Sequence, residues 1–263
     1  MTEHSSANMP DFSDTDASGV AHRIVGTTMP VLEVQLQPGQ SVISQGGEMS
    51  WMSPTIAMST QTSGAGGSGL GGVFKRALSG GSIFMSEYTA QGGTGVVAFA
   101  TKMPGHIKPI TVNASREYMV SRHGFMAATP NVTLNMAIQQ KLGVGIFSGN
   151  GFILQRVAGE GTAWIELSGE LVEYDLAPGE TMMVHPGHIG LFEASVTMEI
   201  QAVKGIKNML FGADTIFLAK LTGPGKIYLQ TLTLPGLAHA IAPYIPQNEP
   251  GGNGINIGGI RLN

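Results

Sequence analysis

The sequence predicts an all-β fold, and three observations lead to this prediction. Glycine accounts for 38 of the 263 residues, about twice its usual share of roughly 7%, which suits many tight turns between short strands. Segments in which apolar and polar residues alternate, such as VLEVQL from Val31, indicate half-buried strands. Three stretches also resemble one another, which indicates an internal repeat of β units.

The repeated unit reads as a strand, a Pro-Gly turn, a second strand, a glycine turn and a third strand. The copies are VLEVQLQPGQSVISQGGEMSWM from Val31, IKPITVNASREYMVSRHGFMAA from Ile107 and LVEYDLAPGETMMVHPGHIGLF from Leu171. In the second copy, residues 113–115 (Asn-Ala-Ser) replace the Pro-Gly turn. Each copy ends in a further hairpin with a closing glycine: Gly95, Gly161 or Gly225. We expect the three units to cover one another's apolar faces in a pseudo-threefold barrel or prism.

These patterns place a single three-repeat β domain at residues 22–246, with repeats at about 31–102, 103–169 and 170–233. Residues 1–21 are polar and without periodicity, so we expect a disordered N-terminal tail. Residues 247–263 are rich in glycine and predict a flexible tail. Residues 233–243 (TLPGLAHAIAP) have proline in the first turn and apolar residues at helical spacing, which predicts a short C-terminal helix.

The composition excludes several classes of function. The formal net charge is −4 and basic residues are dispersed, so we predict no DNA binding and do not expect RNA binding. The chain has no cysteine, which excludes disulfides, thiolate zinc sites and a cysteine nucleophile. Neither a G-x-S-x-G nucleophile elbow nor a phosphate-binding G-K-S/T loop is present.

Charged residues make up only 12% of the chain, about half of the roughly 25% usual in soluble proteins. Such a surface suggests that other copies of the chain cover much of it, so we expect a homo-oligomer. No apolar run approaches the ~20 residues that span a bilayer, and the first residues do not resemble a secretory or transit signal. We therefore expect a cytoplasmic, bacterial protein.

The stretch VHPGHIGLFE raises the question of a metal site, because two imidazoles and a carboxylate can bind a divalent ion. A cupin-like metal-dependent enzyme could use His185, His188 and Glu193, with His106 or His123 as further candidates. However, the Pro-Gly pair between the two histidines favours a turn, and the other repeats have SQGGEMSWMS and SRHGFMAATP in this place. We therefore interpret the histidines as turn residues, and predict no cofactor and no catalytic, cofactor-binding or metal-ligating residues.

Two further motifs have simpler explanations. Residues 67–72 (GSGLGG) match the G-x-G-x-x-G dinucleotide pattern, but the antiparallel surroundings lack the strand and helix that it requires, so a flexible insertion loop is favoured. The apolar and basic residues from Leu70 to Arg76 would suit a protein partner or a membrane surface; packing against the chain's own oligomer is the alternative. A group of carboxylates near a repeat junction is interpreted as a solvated hairpin edge rather than an acid/base site: Glu166, Glu170, Glu173 and Asp175.

Several ordered motifs together are similar to the altered-inheritance-of-mitochondria family over residues 22–246. They are MPVLEVQLQPGQSV, GGVFKRALSGGSIF, VHPGHIGLFE and LTGPGKIYLQT, the last followed by a helix and PYIP. The resemblance implies a TRAP-like β-fold, related to the trp RNA-binding attenuation protein and classed with double-stranded β-helices. For fungal members it also implies a role in organising the mitochondrial inner membrane. It supplies no active-site residues.

The sequence thus predicts a non-enzymatic, oligomeric β-protein that acts through its surface as a scaffold or binding module. The cupin-like metal enzyme described above is the first alternative. RNA binding, by the TRAP-like relationship, is the second, and the charge pattern disfavours it.

Overall fold

The structure is a computed structural model that describes residues 12, 14–15, 19–63, 83–140, 152–203, 216–245, 255–257 and 260–262. Within these residues nearly all regular structure is extended, and the one α-helix is α1, Leu234–Ile241. The predictions of a β-rich chain and of a short C-terminal helix are therefore confirmed. The Leu70–Arg76 loop and its GSGLGG motif lie outside the described residues.

The first segment of the chain alternates clearly between buried and partly exposed side chains. In Val31–Leu36 the buried residues are Leu32, Val34 and Leu36, as a strand with one face on a core requires. Residues Asp14–Thr15, within the expected tail, pair with the strand Ala21–Val25. The strands here are β1 (Asp14–Thr15), β2 (Ala21–Val25), β3 (Val31–Leu36), β4 (Ser41–Gln45), β5 (Trp51–Met52), β6 (Ile56–Ser63), β7 (Ile83–Ala90) and β8 (Gly95–Ala100).

The turn between the first two strands of the second segment differs in its residues from the equivalent turn between β3 and β4. Gly39, after Pro38, has a φ of 87°, a conformation that glycine adopts without steric cost. In the second segment Asn113 Oδ1 instead accepts hydrogen bonds from Ser115 N (3.0 Å) and Ser115 Oγ (2.7 Å), which forms an Asx turn. The strands are β9 (Gly105–Val112), β10 (Tyr118–Ser121), β11 (Phe125–Ala128), β12 (Val132–Gln140), β13 (Phe152–Gly159) and β14 (Gly161–Ser168).

The third segment returns to the Pro-Gly turn, with Gly179 at a φ of 80°. Its strands are β15 (Leu171–Leu176), β16 (Thr181–Val184), β17 (Ile189–Glu193), β18 (Thr197–Val203), β19 (Ile216–Thr222) and β20 (Gly225–Gln230). A 3₁₀ turn, Pro186–His188, separates β16 from β17. Near the C-terminus, β21 (Ile255–Ile257) and β22 (Ile260–Leu262) pair as a hairpin.

The strands form open antiparallel sheets that combine neighbouring segments. One six-stranded sheet has the order β6-β7-β4-β11-β14-β9, and a second has the order β12-β13-β10-β17-β20-β15. The other two larger sheets are a five-stranded sheet, β1-β2-β3-β8-β5, and a three-stranded sheet, β16-β19-β18. The sheets do not close into the predicted barrel, because each long sheet is completed by strands of the next segment and ends in edge strands.

Three clusters of buried apolar residues form the core, and each belongs mainly to one segment. Side chains from a neighbouring segment complete each cluster: Trp164 in the first, Leu191 in the second and Leu154 in the third. All three of these side chains are fully buried. The segments therefore share apolar cores rather than folding around separate ones. No helix among the described residues is long and apolar enough to cross a membrane.

Candidate functional site

The His-rich turn is held by local hydrogen bonds. His185 caps the 3₁₀ turn, its Nδ1 accepting a hydrogen bond from Gly187 N at 3.3 Å. His188 Nδ1 lies 2.8 Å from the Gln230 carbonyl oxygen, and because a carbonyl only accepts, His188 Nδ1 donates. The two rings meet edge to face with centroids 5.8 Å apart. Desolvation, and then the neighbouring His188, hold the pKa of His185 below its usual value.

Glu193, the third residue of the hypothetical metal site, is engaged elsewhere. Its Oε2 accepts a hydrogen bond from Lys226 N at 3.0 Å, and its Oε1 lies 3.5 Å from Arg116 Nε. In the described part of the chain, no three side chains among His, Asp and Glu come together in a way that could hold a metal ion. The structure therefore does not assemble His185, His188 and Glu193 into a ligand set.

The other two histidine candidates lie in separate places. His106 Nδ1 donates to the Gly169 carbonyl at 2.9 Å, and its Nε2 is 3.6 Å from Glu170 Oε2. His123 lines a cleft beside the turn at residues 122–124. Desolvation, and then the charges of Arg122 and Lys102, lower the pKa of His123.

This cleft has a volume of about 410 Å³ and lies beside the His-rich turn, whose Pro186 and Gly187 line it. It lies where the second and third segments meet α1. Its apolar lining consists of Phe152, Ile153, Pro186, Ile189, Leu234, Pro235 and Ala238. Its polar lining includes Ser121, Arg122, His123, Glu166, Ser168 and Gln230. A mainly apolar lining with a few polar groups is typical of sites that bind small molecules or short chain segments.

Gln230 fixes the base of the cleft by joining two segments. Its Oε1 accepts a hydrogen bond from Ser168 N at 3.0 Å, and its Nε2 donates to the Gly187 carbonyl at 3.1 Å. Because both ends of the amide are engaged, its orientation is set by two backbone groups from different segments. The 3₁₀ turn is thus held in place against β14.

Glu166 is the buried carboxyl group of the cleft. Its Oε1 accepts hydrogen bonds from Lys102 N (2.8 Å) and Met103 N (3.4 Å). Burial raises its pKa, and the two backbone donors partly oppose that rise. Glu166 is therefore separated from the other carboxylates of its predicted group, since Glu170 is largely exposed and Glu173 is paired with lysines.

The helix α1 closes one part of the cleft while burying none of its own residues. Thr233 Oγ1 accepts a hydrogen bond from Gly236 N at 3.1 Å and so caps the first turn. Leu234 remains 50% exposed although it borders the cleft. The sequence predicts this helix from its proline and its helically spaced apolar residues, but no local pattern indicates that Leu234, Phe152 and Gln230 meet at one site.

Comparison with known proteins bears on the fold and the family. The model of the mitochondrial biogenesis AIM24 family matches residues 22–232. This chain belongs to the AIM24 family. The resemblance seen in the sequence motifs is thereby confirmed.

Two streptococcal proteins are similar to this AIM24-family chain along most of its length. An uncharacterized protein of Streptococcus pyogenes serotype M6 is 27% identical over 225 residues, which cover 84% of this chain and 88% of that protein. A crystal structure of another Streptococcus pyogenes protein superposes with a TM-score of 0.68 at 23% identity, and covers 86% of this chain and 99% of that one. This second likeness supports the fold.

Proposed function

We propose that this chain is a non-enzymatic scaffold and binding module built from three repeats of one β unit. The strand pairings support the repeat. Counted from β3, β9 and β15, the first strand of each unit pairs with the sixth (β3–β8, β9–β14 and β15–β20), and the second pairs with the fifth (β4–β7, β10–β13 and β16–β19). The same scheme therefore occurs in all three segments.

The observation that carries the binding role is the cleft between the second and third repeats. Apolar side chains such as Leu234 and Phe152 share it with hydrogen-bonding groups such as Ser121 and Arg122. This lining suits an amphipathic ligand, with an apolar group that contacts the helix and a polar end that reaches the turn at residues 122–124. The paired Gln230 amide keeps the cleft in one shape, which lowers the cost of ordering it on binding.

A neutral, environment-sensitive dye such as Nile red tests the cleft. We expect the dye to bind the wild type and Leu234→Asp to weaken binding by roughly 10-fold or more, because a carboxylate would be placed against the apolar part of the ligand. Ile241→Asp is the matched control, since Ile241 lies on the same helix at 46% exposure and does not line the cleft. Equal binding by the two variants would contradict the proposed site.

Metal analysis of the purified protein tests the non-enzymatic part of the proposal. We expect no stoichiometric metal, because Glu193 is engaged with Lys226 N and Arg116. Tightly bound iron, manganese or zinc that is lost in His188→Ala would instead favour the cupin-like enzyme.

A further inference from the structure

Two strands lack the pairing with a neighbouring repeat that the equivalent strands make elsewhere in the chain. The second strand of the first repeat, β4, pairs with the third strand of the second repeat, β11. In the same way β10 of the second repeat pairs with β17 of the third. The remaining members of this series are β16, the second strand of the third repeat, and β5, the third strand of the first. Within the described residues, each of these two lies at the edge of its sheet.

The two existing junctions have the same register. At the first, Ile43 faces Ala128 and Ser44 faces Ala127. At the second, Met119 faces Phe192 and Val120 faces Leu191. When the repeats are superimposed on their turns, Met183 and Val184 take the places of Ile43 and Ser44. Met52 and Trp51 likewise take the places of Ala128 and Ala127.

Burial differs between the internal junctions and the two edge strands β5 and β16. Leu191 is 0% exposed in β17, whereas Trp51, at the equivalent position of β5, is 50% exposed. Met52 and Met183 are also exposed, at 38% and 45%. Exposed apolar side chains along an unpaired strand edge are typical of a surface that another chain covers.

From this arrangement we infer that β16 of one copy pairs with β5 of the next copy, in the register of the internal junctions. Met183 would then face Met52, and Val184 would face Trp51. The inference rests on the three-repeat organisation proposed above. It names a second copy of this chain as the partner because the chain itself contains two examples of the contact. It is also independent of the cleft.

Other sheet edges do not support the same inference. The fourth strand of each repeat lies at the edge of its sheet: β6, β12 and β18. In the described chain this fourth strand therefore pairs with no other repeat, so there is no internal example of such a contact. The strand β5 is also fixed to β8 by backbone hydrogen bonds on both sides of it, and its other edge is exposed for pairing. Ser50 N and Ser53 N donate to the Ala98 and Val96 carbonyls at 2.9 and 2.8 Å.

The inferred contact joins different surfaces of the two copies, so each copy can bind one neighbour through β5 and another through β16. Repeated addition gives a ring if the rotation closes, and a filament if it does not. The low share of charged residues, 12% of the chain, agrees with a surface that is covered in this way.

Light scattering after size-exclusion chromatography tests the inference. We expect the wild type to assemble, and Met52→Lys or Met183→Glu alone to weaken self-association by on the order of 100-fold, because each buries an unpaired charge. Mixing the two variants should restore association, since the unchanged β16 of one chain meets the unchanged β5 of the other. Met136→Lys on the edge strand β12, at 40% exposure, is the matched control and should assemble as the wild type does.

A cross-linking experiment gives a second measure, which does not depend on the charge variants. The chain contains no cysteine, so Met52→Cys and Met183→Cys introduce single thiols. We expect an oxidised mixture of these two chains to give a disulfide-linked dimer of unlike chains. A wild type that stays a single chain, charge variants that assemble normally, or a mixture that fails to associate would each overturn the inference. None of these outcomes would change dye binding to the cleft, so the results can contradict the assembly proposal without contradicting the cleft proposal.

Discussion

Glu166 and Glu173 show how neighbouring carboxyl groups of one sequence acquire opposite electrostatic roles. Burial raises the pKa of Glu166. The hydrogen bond from Lys226 Nζ, at 2.6 Å, lowers the pKa of Glu173, and Lys108 adds to this effect. A raised carboxyl pKa means that the folded protein binds the proton more tightly than the unfolded chain does. Stability from Glu166 therefore falls as pH rises from about 4.5 through the folded pKa.

The pH dependence of unfolding should separate these two residues. We expect Glu166→Gln to gain stability relative to the wild type as pH rises from about 4 to about 7, because it removes a buried charge. Glu173→Gln should show the opposite trend: its stability deficit is present above the ordinary pKa and disappears as pH falls through the lowered pKa. Urea unfolding at a series of pH values measures both. Parallel curves for Glu166→Gln and the wild type would contradict the assignment.

At the scale of single elements, α1 depends on its cap more than on packing. None of its residues is buried, so the core contributes little to holding the helix together. The hydrogen bond from Gly236 N to Thr233 Oγ1 compensates for this at the first turn. The helix nevertheless supplies Leu234 and Ala238 to the cleft, so its local stability affects the proposed binding site.

Removing the cap should loosen the helix without unfolding the protein. We expect Thr233→Ala to cost about 1 kcal/mol of helix stability and to speed amide exchange in α1 by roughly 5-fold. Thr233→Ser keeps the hydroxyl and should behave as the wild type does. Hydrogen-exchange mass spectrometry reports the local change and thermal unfolding reports the global one. A large fall in the melting temperature of Thr233→Ala would show that the helix has a structural role beyond the cleft.

At the scale of the whole molecule, the shared core clusters predict cooperative unfolding. Trp164 is fully buried in the first cluster, although it belongs to the second segment, and Leu221 is fully buried in the third cluster. Each cluster includes side chains from a neighbouring segment, so loss of one segment exposes apolar surface of the next. The segments should therefore unfold together rather than one by one.

A destabilising cavity in the third cluster should thus shift the unfolding transition that is followed by the fluorescence of a tryptophan in the first cluster. In a Trp51→Phe background, which leaves Trp164 as the sole tryptophan, we expect Leu221→Ala to destabilise the protein by about 2–5 kcal/mol. It should shift the transitions followed by Trp164 fluorescence and by far-UV circular dichroism equally. Leu234→Ala is the matched control, because its side chain is 50% exposed, and it should change stability by less than about 0.5 kcal/mol. An unchanged fluorescence transition in Leu221→Ala would show that the segments unfold independently.

The sequence by itself determined the local elements of this protein. Alternating burial in Leu32, Val34 and Leu36 follows from the two-residue period of a strand, and the proline and helically spaced apolar residues of α1 predict that helix. These features depend on residues a few positions apart. They are therefore readable from a short window of sequence, as are the motifs that identify the family.

Only the tertiary structure decided which strands lie side by side. The sheets are open and do not form the expected barrel, because β11 and β17 complete the sheets of the preceding segments. Glu193 interacts with Lys226 N and Arg116 rather than with the nearby histidines. Gln230 accepts a hydrogen bond from Ser168 N, which belongs to another segment. Such contacts depend on the free energy of packing distant segments together, which hydrophobic periodicity along the chain does not encode.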